Sequence, residues 1–390
     1  MGRWKNDQKK YFLFAAIILI GVLLMYWSGK RSAITVHFVD QNGTLLKVKD
    51  KTYYSKPYLL LSTSTLEKEV PGYTPLKKFI FFNKSNRKIN LKFKAKDFTK
   101  EVRSFKRVKY VAATFQPMKA SIHHGFQLDP FNTARTYEGN KTGKDSLRLI
   151  YSNDGVNWKK MNISYPKLNV RDPSIRKING YWYIVYTKGL IRTKNFKHWE
   201  KIPWKYSKIF VNHLEWAPEF FRDKTGNFHI IMAANSVNTH NFHLYVSDFN
   251  EKTGHITNNW QAIKGKNLPV NMIDGNLTYY HGKYILFYKN EDAAINKLTM
   301  AVSRNYLGPY HSKTLKVNLG SYVSAEGLEA QFYKNKIRLY VDPYKVNKAG
   351  ESMYNGVHFT EERIGSNNWT KLRPINAPFI VRHFGILKQH

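Results

Sequence analysis

The chain has 390 residues, enough for one large fold with additional modules. It has no cysteine, which excludes a disulfide framework and thiolate chemistry, and its 26 Tyr and 24 Phe favour strands over a helical bundle. With 63 Lys and Arg against 27 Asp and Glu, the formal charge is +36, a field that concentrates polyanions such as nucleic acid, anionic membrane or anionic cell-wall polymer.

Residues 1–10 are polar and basic. Tyr11–Trp27, YFLFAAIILIGVLLMYW, is an uncharged apolar run. As a helix it spans about 25 Å, at the short end for a bilayer core, with Tyr11, Tyr26 and Trp27 where interfacial aromatics belong. A cleaved signal peptide is the alternative, but the following YWSGKRS holds no small-x-small site. The expectation is an uncleaved single-pass anchor, with the basic tail inside and the bulk of the chain outside a bacterial, Gram-positive cell.

Residues 34–94 form a second, β-rich unit. Ile34–Val39 alternates and leads into Asp40-Gln41-Asn42-Gly43, a hairpin signal. Lys78–Phe82 and Lys88–Phe93 read as further strands around a turn at Asn83–Asn86. ITVHFVDQNGTLL and VPGYTPL resemble the mucin-binding-protein type repeat of Gram-positive surface proteins. The resemblance implies an adhesion module; a plain spacer is the other reading. Residues 95–115 are charged and mixed and read as a linker.

From residue 116 onward short strands and turns recur. One repeated mark is Ser or Thr, a short polar loop, then Trp: Ser152–Trp158, Thr193–Trp199, Ser247–Trp260 and Thr360–Trp369, with Ser303–Tyr310 as a variant. A strand precedes each mark, at Leu147–Tyr151, Tyr181–Thr187, Phe228–Ala233, Tyr284–Tyr288 and Ile337–Val341. Repeats of about 50 residues with several short strands each predict a β-propeller; five marks predict five blades. A β-sandwich with coincidental Trp spacing is the alternative. Few residues remain after His383, so the last blade needs strands from the start of the domain, around Ser121–Trp158, to close the ring and remove its edges.

Strands entering a propeller channel aim their first residues at one mouth. Those heads are Asp172 (VRDPSI), Glu215-Trp216 (LEWAPEFF), Asp274 (MIDGNLTYY), Glu326 (SAEGLEAQF) and His383 (VRHFGIL). Three isolated carboxylates in register, in a chain poor in acids, suit glycoside hydrolysis. One must be ionised to take a proton from water and one protonated to donate to the leaving oxygen; crowding them separates their pKa values. Asp129-Pro130 competes with Asp172 but lacks the following Asn-Gly turn and strand. His123-His124 lacks a third ligand at metal spacing. Glu219 and Glu329 read as supports beside the heads.

Residues from about 116 to 390 resemble glycoside hydrolase family 43 in VRDPSIRKINGYWYIVYTKG, EWAPEFFRDKTGNFHIIMAA, MIDGNLTYYHGKYILFYKNED, LGPY, AEGLEAQFYKNKIRLYVDPY and VRHFGILK, which occur in family order. The resemblance implies that Asp172 is the general base, Asp274 the acid that tunes the proton donor, and Glu326 the general acid. It implies that Trp216 walls the sugar site and that Arg171, beside the base, contacts substrate. For His383 it implies a channel position that in some relatives helps hold a cation. No cofactor is required by this reading; a calcium or other cation in the channel is compatible with it. Gly275, Leu328 and Phe384 stand where the family more often has other residues.

The expected fold is thus all-β: a five-bladed β-propeller behind a transmembrane helix and a small β-rich module. The expected function is an anchored extracellular glycosidase, inverting, acting on arabinofuranosyl, xylosyl or related bonds of a polysaccharide. Its expected partners are the saccharide substrate, the membrane and an anionic cell-wall polymer. A sugar-binding surface protein without turnover is the rival. Nucleic acid is excluded as a partner because no recognition motif accompanies the charge.

Overall fold

The structure, a computed structural model, describes residues 31–46, 48–70, 72–83, 85–117, 127–128, 145–293 and 297–389. The apolar run 11–27, His123, His124, Asp129 and Pro130 lie outside the described residues. Among the described residues no helix is long and apolar enough to cross a membrane. The chain divides into two compact units, Met1–Asp97 and Phe98–His390.

The small unit is built on a sheet in the order Lys51–Ser55, Ser32–Asp40, Arg87–Ala95, Tyr73–Pro75. Its central pair, Ser32–Asp40 with Arg87–Ala95, is parallel. Alternation buries Ile34, Val36 and Phe38 on one face, against Leu66, Ile80 and Phe93. The turn expected after Val39 is present, with the Asp40 carboxylate accepting the N–H groups of Asn42 and Thr44 at 2.8 and 2.9 Å. The chain then makes only an isolated bridge, Val39 to Leu45, and the strand that pairs with Ser32–Asp40 comes later, at Lys51–Ser55. Phe79–Phe81 pairs with Leu60–Ser62 in a separate hairpin rather than with its sequence neighbour.

The large unit is almost entirely β. Its second to fifth sheets begin at Ser174–Ile178, Phe210–Arg222, Met272–Tyr280 and Ser324–Tyr333 and run outward mainly as antiparallel meanders. The first sheet is composite, in the order Lys159–Lys160, Ser146–Ser152, Tyr110–Gln116, Arg382–Lys388. Each innermost strand contacts the next, and Arg382–Lys388 contacts both Ser324–Tyr333 and Ser174–Ile178, so the contacts form a closed cycle. Buried apolar residues fill the space between every successive pair of sheets. One cluster joins Leu147 and Leu149 to Trp182 and Ile184, and another joins Tyr340 and Phe359 to Tyr110 and Trp158.

Residues 95–115 are not a linker. They hold the end of the small unit's strand, the helix Thr99–Arg107 and most of the strand Tyr110–Gln116. That strand pairs with Ser146–Ser152 on one side and Arg382–Lys388 on the other. The residues of YVAATFQ are buried on both faces, so the alternation that marks a half-exposed strand is missing. The helix earns its place through Phe105, fully buried with ring centroids 5.3 Å from both Trp182 and Phe196.

In its short copies the repeated Ser/Thr-to-Trp mark is a turn; in the longer ones the hydroxyls of Ser247 and Thr360 reach across to Thr257 and Thr370. In the first copy Ser152 Oγ accepts the Gly155 N–H at 2.9 Å and Trp158 Nε1 donates to the Gly155 carbonyl at 3.0 Å. In the second, Thr193 Oγ1 accepts the Phe196 N–H at 2.8 Å. Hydroxyls that cap their own turn make such loops compact.

The closing strand sets a truncation test. A fragment spanning 98–390 is expected to unfold cooperatively, whereas 117–390, which lacks the central strand of the first sheet, is expected to show no thermal transition by circular dichroism. Phe105→Ala should lower stability by about 3–5 kcal/mol in chemical denaturation, as for other large core truncations.

Candidate active site

The heads of the innermost strands share one construction. Asp172, Ala217, Asp274 and Gly327 have φ of 47°, 44°, 54° and 61°, in the left-handed region. Irregular register surrounds Ala217, Asp274 and Gly327, between Trp216 and Glu219, Ile273 and Asn276, and Glu326 and Glu329, and recurs between Arg382 and Gly385, while Asp172 lies two residues before its strand. Such bulges turn a side chain out of the pleat. Here they turn carboxylates into a common cavity of about 310 Å³, lined by Asp172, Asp274, Glu326, His383, Trp216 and Tyr354 among others. Gly327 fits its place for a second reason: a Cβ there would lie 2.7 Å from His383 Cδ2.

His383 stands among the three acids. Its Nδ1 is 3.3 Å from Asp172 Oδ1, and its Nε2 is 3.0 Å from Glu326 Oε1 and 4.0 Å from Asp274 Oδ2. Burial alone would lower the imidazole, but Asp274, Asp172 and Glu326 push it up to about 9. The ring is therefore an imidazolium at neutral pH; its Nε2–H donates to Glu326 Oε1, and its Nδ1 makes an ion pair with Asp172.

The acids diverge in character. Burial pushes Asp274 up, with His383 opposing and Glu326 and Asp172 reinforcing. Its Oδ2 accepts the Gly327 N–H at 2.8 Å. Burial would raise Glu326 as well, but the hydrogen bond and charge of His383, with Lys289 and Arg382, hold it well below the usual carboxylate range. Lys289 Nζ is 3.4 Å from Oε2 and Arg382 Nη2 is 3.3 Å from Oε1. Asp172 accepts the Thr187 hydroxyl at 3.1 Å and lies 3.6 Å from Arg171 Nε. Thr187 in turn accepts the Ala217 N–H at 3.2 Å.

Trp216 is 40% exposed and stacks on Phe242, centroids 4.0 Å apart, giving the cavity a flat aromatic wall. Glu215, its neighbour, is buried and accepts the Trp204 indole N–H at 3.2 Å, so it supports the strand. Arg171 is partly exposed at the rim.

Sequence reasoning passed over Arg382, Lys289, Asp342, Thr187 and Tyr354. Arg382 is fully buried, ion-paired through Nε to Asp342, and its guanidinium lies 3.5 Å over the Tyr354 ring. The signal available was its position beside His383 in VRHFGIL.

A second polar layer lies one step deeper along the same strands. Asn276 Nδ2 donates to Glu219 Oε1 at 2.7 Å and to Glu329 Oε2 at 3.2 Å, and Arg176 Nη2 is 3.8 Å from Glu219. Burial pushes both carboxyls up, and Glu329 pushes Glu219 further. They are supports, as the sequence suggests, and they join four of the innermost strands.

Asp274, Glu326 and His383 each offer a ligand atom within 4.8 Å of the others, a spacing that invites a cation. Nε2 of His383 faces Glu326 and Nδ1 faces Asp172, so an ion there would take the place of a ring proton as the counter-charge of the acids.

No protein-family model matches the chain, and no curated protein matches it. Solved structures to which the chain is similar include three arabinanases. The family 43 endo-arabinanase from Bacillus licheniformis is 17% identical over 55% of this chain and 86% of its own, with a TM-score of 0.41. Native Bacillus subtilis arabinanase is 16% identical over 63% and 88%, with a TM-score of 0.41. The Cellvibrio cellulosa alpha-L-arabinanase complexed with arabinohexaose is 14% identical over 58% and 88%, with a TM-score of 0.43. At these identities no residue role passes from those enzymes to this chain.

Two predictions follow from the charges. The folded value of His383, about 9, exceeds its ordinary 6.5; its contribution is complete below about 6.5 and is lost as pH rises through 9. Melting temperature should fall across that window in the wild type, and that part of the fall should vanish in His383→Gln. Glu219→Gln, which mimics the protonated form, should cost less than about 1 kcal/mol at pH 7. Glu219→Ala, which strips Asn276 of a partner, should cost about 1–3 kcal/mol in urea unfolding.

Proposed function

We propose that the large unit is a five-bladed β-propeller glycoside hydrolase that acts on arabinofuranosyl, xylosyl or related pentose bonds. The observation that carries the hydrolytic reading is the meeting of Asp172, Asp274 and Glu326 from three sheets in one cavity beside an exposed Trp. The five sheets and the cyclic contacts of their innermost strands support the propeller. The family 43 motifs of the sequence support the pentose.

In this reading Asp172 is the base. It is oriented by Thr187, with Arg171 Nε at 3.6 Å and His383 Nδ1 at 3.3 Å beside it. It takes a proton from water while that water attacks the anomeric carbon. Glu326 is the donor to the leaving oxygen. In the free site it is hydrogen-bonded to His383 and held low by Lys289 and Arg382, so donation requires the bound saccharide to shield those charges and raise its carboxyl. Asp274, whose carboxyl burial pushes upward, pins the Glu326 bulge through the Gly327 N–H. Trp216 presents an apolar face to the sugar ring. Asp172 and Glu326 face different nitrogens of one imidazole, which puts the ring and two contacts of 3.3 and 3.0 Å between them. That suits the roughly 6.5–9.5 Å of inverting pairs better than the roughly 5–5.5 Å of retaining ones.

The cationic cage around Glu326 favours a second reading, a sugar-binding protein without turnover. The two separate on nitrophenyl α-L-arabinofuranoside and β-D-xyloside. Hydrolysis should be detectable in the wild type and fall about 10²–10⁴-fold in Asp172→Asn and Glu326→Gln. The first-formed anomer, followed by NMR, should be inverted. Sugar binding with no release in either wild type or variants selects the second reading. The run 11–27 is read as the anchor that holds this domain outside the cell, with 34–94 as spacer or adhesion module.

A further inference from the structure

The innermost strands continue past the carboxylate cavity. Beyond a small pocket of about 30 Å³ that Ser174, Glu219, Gly275 and Gly385 share with Asp172, Asp274 and His383, they line a second cavity of about 410 Å³. Lys177, five residues beyond Asp172, lies roughly 16 Å further along the strand path at ~3.3 Å per residue. The two cavities are separate.

Their chemistry is opposite. Arg176, Lys177, Arg222 and Lys388 line the second cavity, and no carboxylate does. Arg176 is committed to the fold, donating to the carbonyls of Ile175, Ile386 and Phe220. Lys177, Arg222 and Lys388 are exposed. Lys177 and Arg222 lie over the rings of Trp182 and Phe228, 5.7 and 4.3 Å from their centroids. Among the described residues none of the three is engaged by an acid. Beside them is an aromatic wall. Tyr280 and Phe332 are stacked, centroids 4.5 Å apart, and Tyr279 is 37% exposed.

Unneutralised cations next to flat apolar rings are complementary to a ligand that has both a negative group and a sugar face. We propose that this cavity binds an acidic saccharide, its carboxylate or phosphate on Arg222, Lys388 and Lys177 and its ring on Tyr279. The ligand is held there without being cleaved, since no acid or base lines the cavity. The proposal stands independently of hydrolysis at the first cavity. A cavity of this size takes a short stretch of a longer chain, so the site would keep an anionic polymer on the protein.

Isothermal titration of the full chain in a neutral detergent tests it, with trigalacturonate, glucose 1-phosphate, tripolyphosphate and arabinotriose as probes. The two acidic sugars should bind and arabinotriose should not enter this cavity. Arg222→Ser with Lys388→Ser should weaken trigalacturonate at least about tenfold, while Lys316→Ser with Lys348→Ser, an equal charge change outside the cavity, should weaken it less than about twofold. Tyr279→Ala should weaken both acidic sugars about fivefold and leave tripolyphosphate unchanged. Trp216→Ala, in the other cavity, should change none of these. Equal losses in the two charge pairs would reduce the effect to the general field of a +36 chain and overturn the proposal. So would a loss in Trp216→Ala matching that in Arg222→Ser with Lys388→Ser, indifference of the acidic sugars to Tyr279→Ala, or no binding of either acidic sugar. Unchanged melting curves keep these readings separate from misfolding, because the substituted side chains are exposed.

Discussion

The pairing of Arg382–Lys388 with Tyr110–Gln116 is the constraint on which the large unit depends. It joins strands separated by almost the whole unit, and it inserts the last segment of the chain between the second and fifth sheets. Without it the first sheet has no innermost strand, the cycle of contacts is open, and two sheet faces lose their covering clusters. The same short segment carries Arg382 and His383. Closing the fold and completing the site are therefore one event. Long-range pairing of this kind is slow to form because a large loop must close before its contacts repay the lost entropy.

Electrostatics take over where packing ends. The channel gathers five carboxylates, Asp172, Asp274, Glu326, Glu219 and Glu329, in a chain with few acids. Carboxylates that close would repel one another in a low-dielectric interior. The fold resolves this in two layers. In the upper layer one imidazolium, with Lys289 and Arg382 behind it, balances the acids while leaving the cavity open. In the lower layer Asn276 and Arg176 tie down two carboxyls whose burial favours their neutral forms. The upper layer borders open volume and the lower layer is a girder. Beyond it the sign of the channel reverses: Lys177, Arg222 and Lys388 line the far cavity and no carboxylate does.

Much of this was legible in the sequence because it is encoded locally. Tyr181–Tyr186, Phe228–Ser236 and Lys283–Asn290 are dense in aromatic and β-branched residues and formed close to where that density put them. The isolated acids at the strand heads stood out because acids are scarce. What stayed hidden was structure without local contrast. YVAATFQ is buried on both faces and shows no period; the helix before it is charged on all but a narrow side and is held by Phe105. In the small unit, a turn at Asp40–Gly43 looked like a hairpin, but the parallel strand Arg87–Ala95 decided the sheet. Arg382 and Lys289 look like ordinary basic residues of a basic chain, and only their burial against Glu326 distinguishes them.

By itself, the sequence determined that this is an all-β chain with recurring strand-and-turn units and a carboxylate or histidine at several unit heads. Hydrophobic alternation and turn chemistry act over a few residues, and they can be read from order alone. Tertiary structure decided which strand closes the first sheet, which acids carry the proton and which cations face them. Those outcomes depend on distances between residues hundreds of positions apart and on how much water each group loses. Neither quantity exists until the chain is folded.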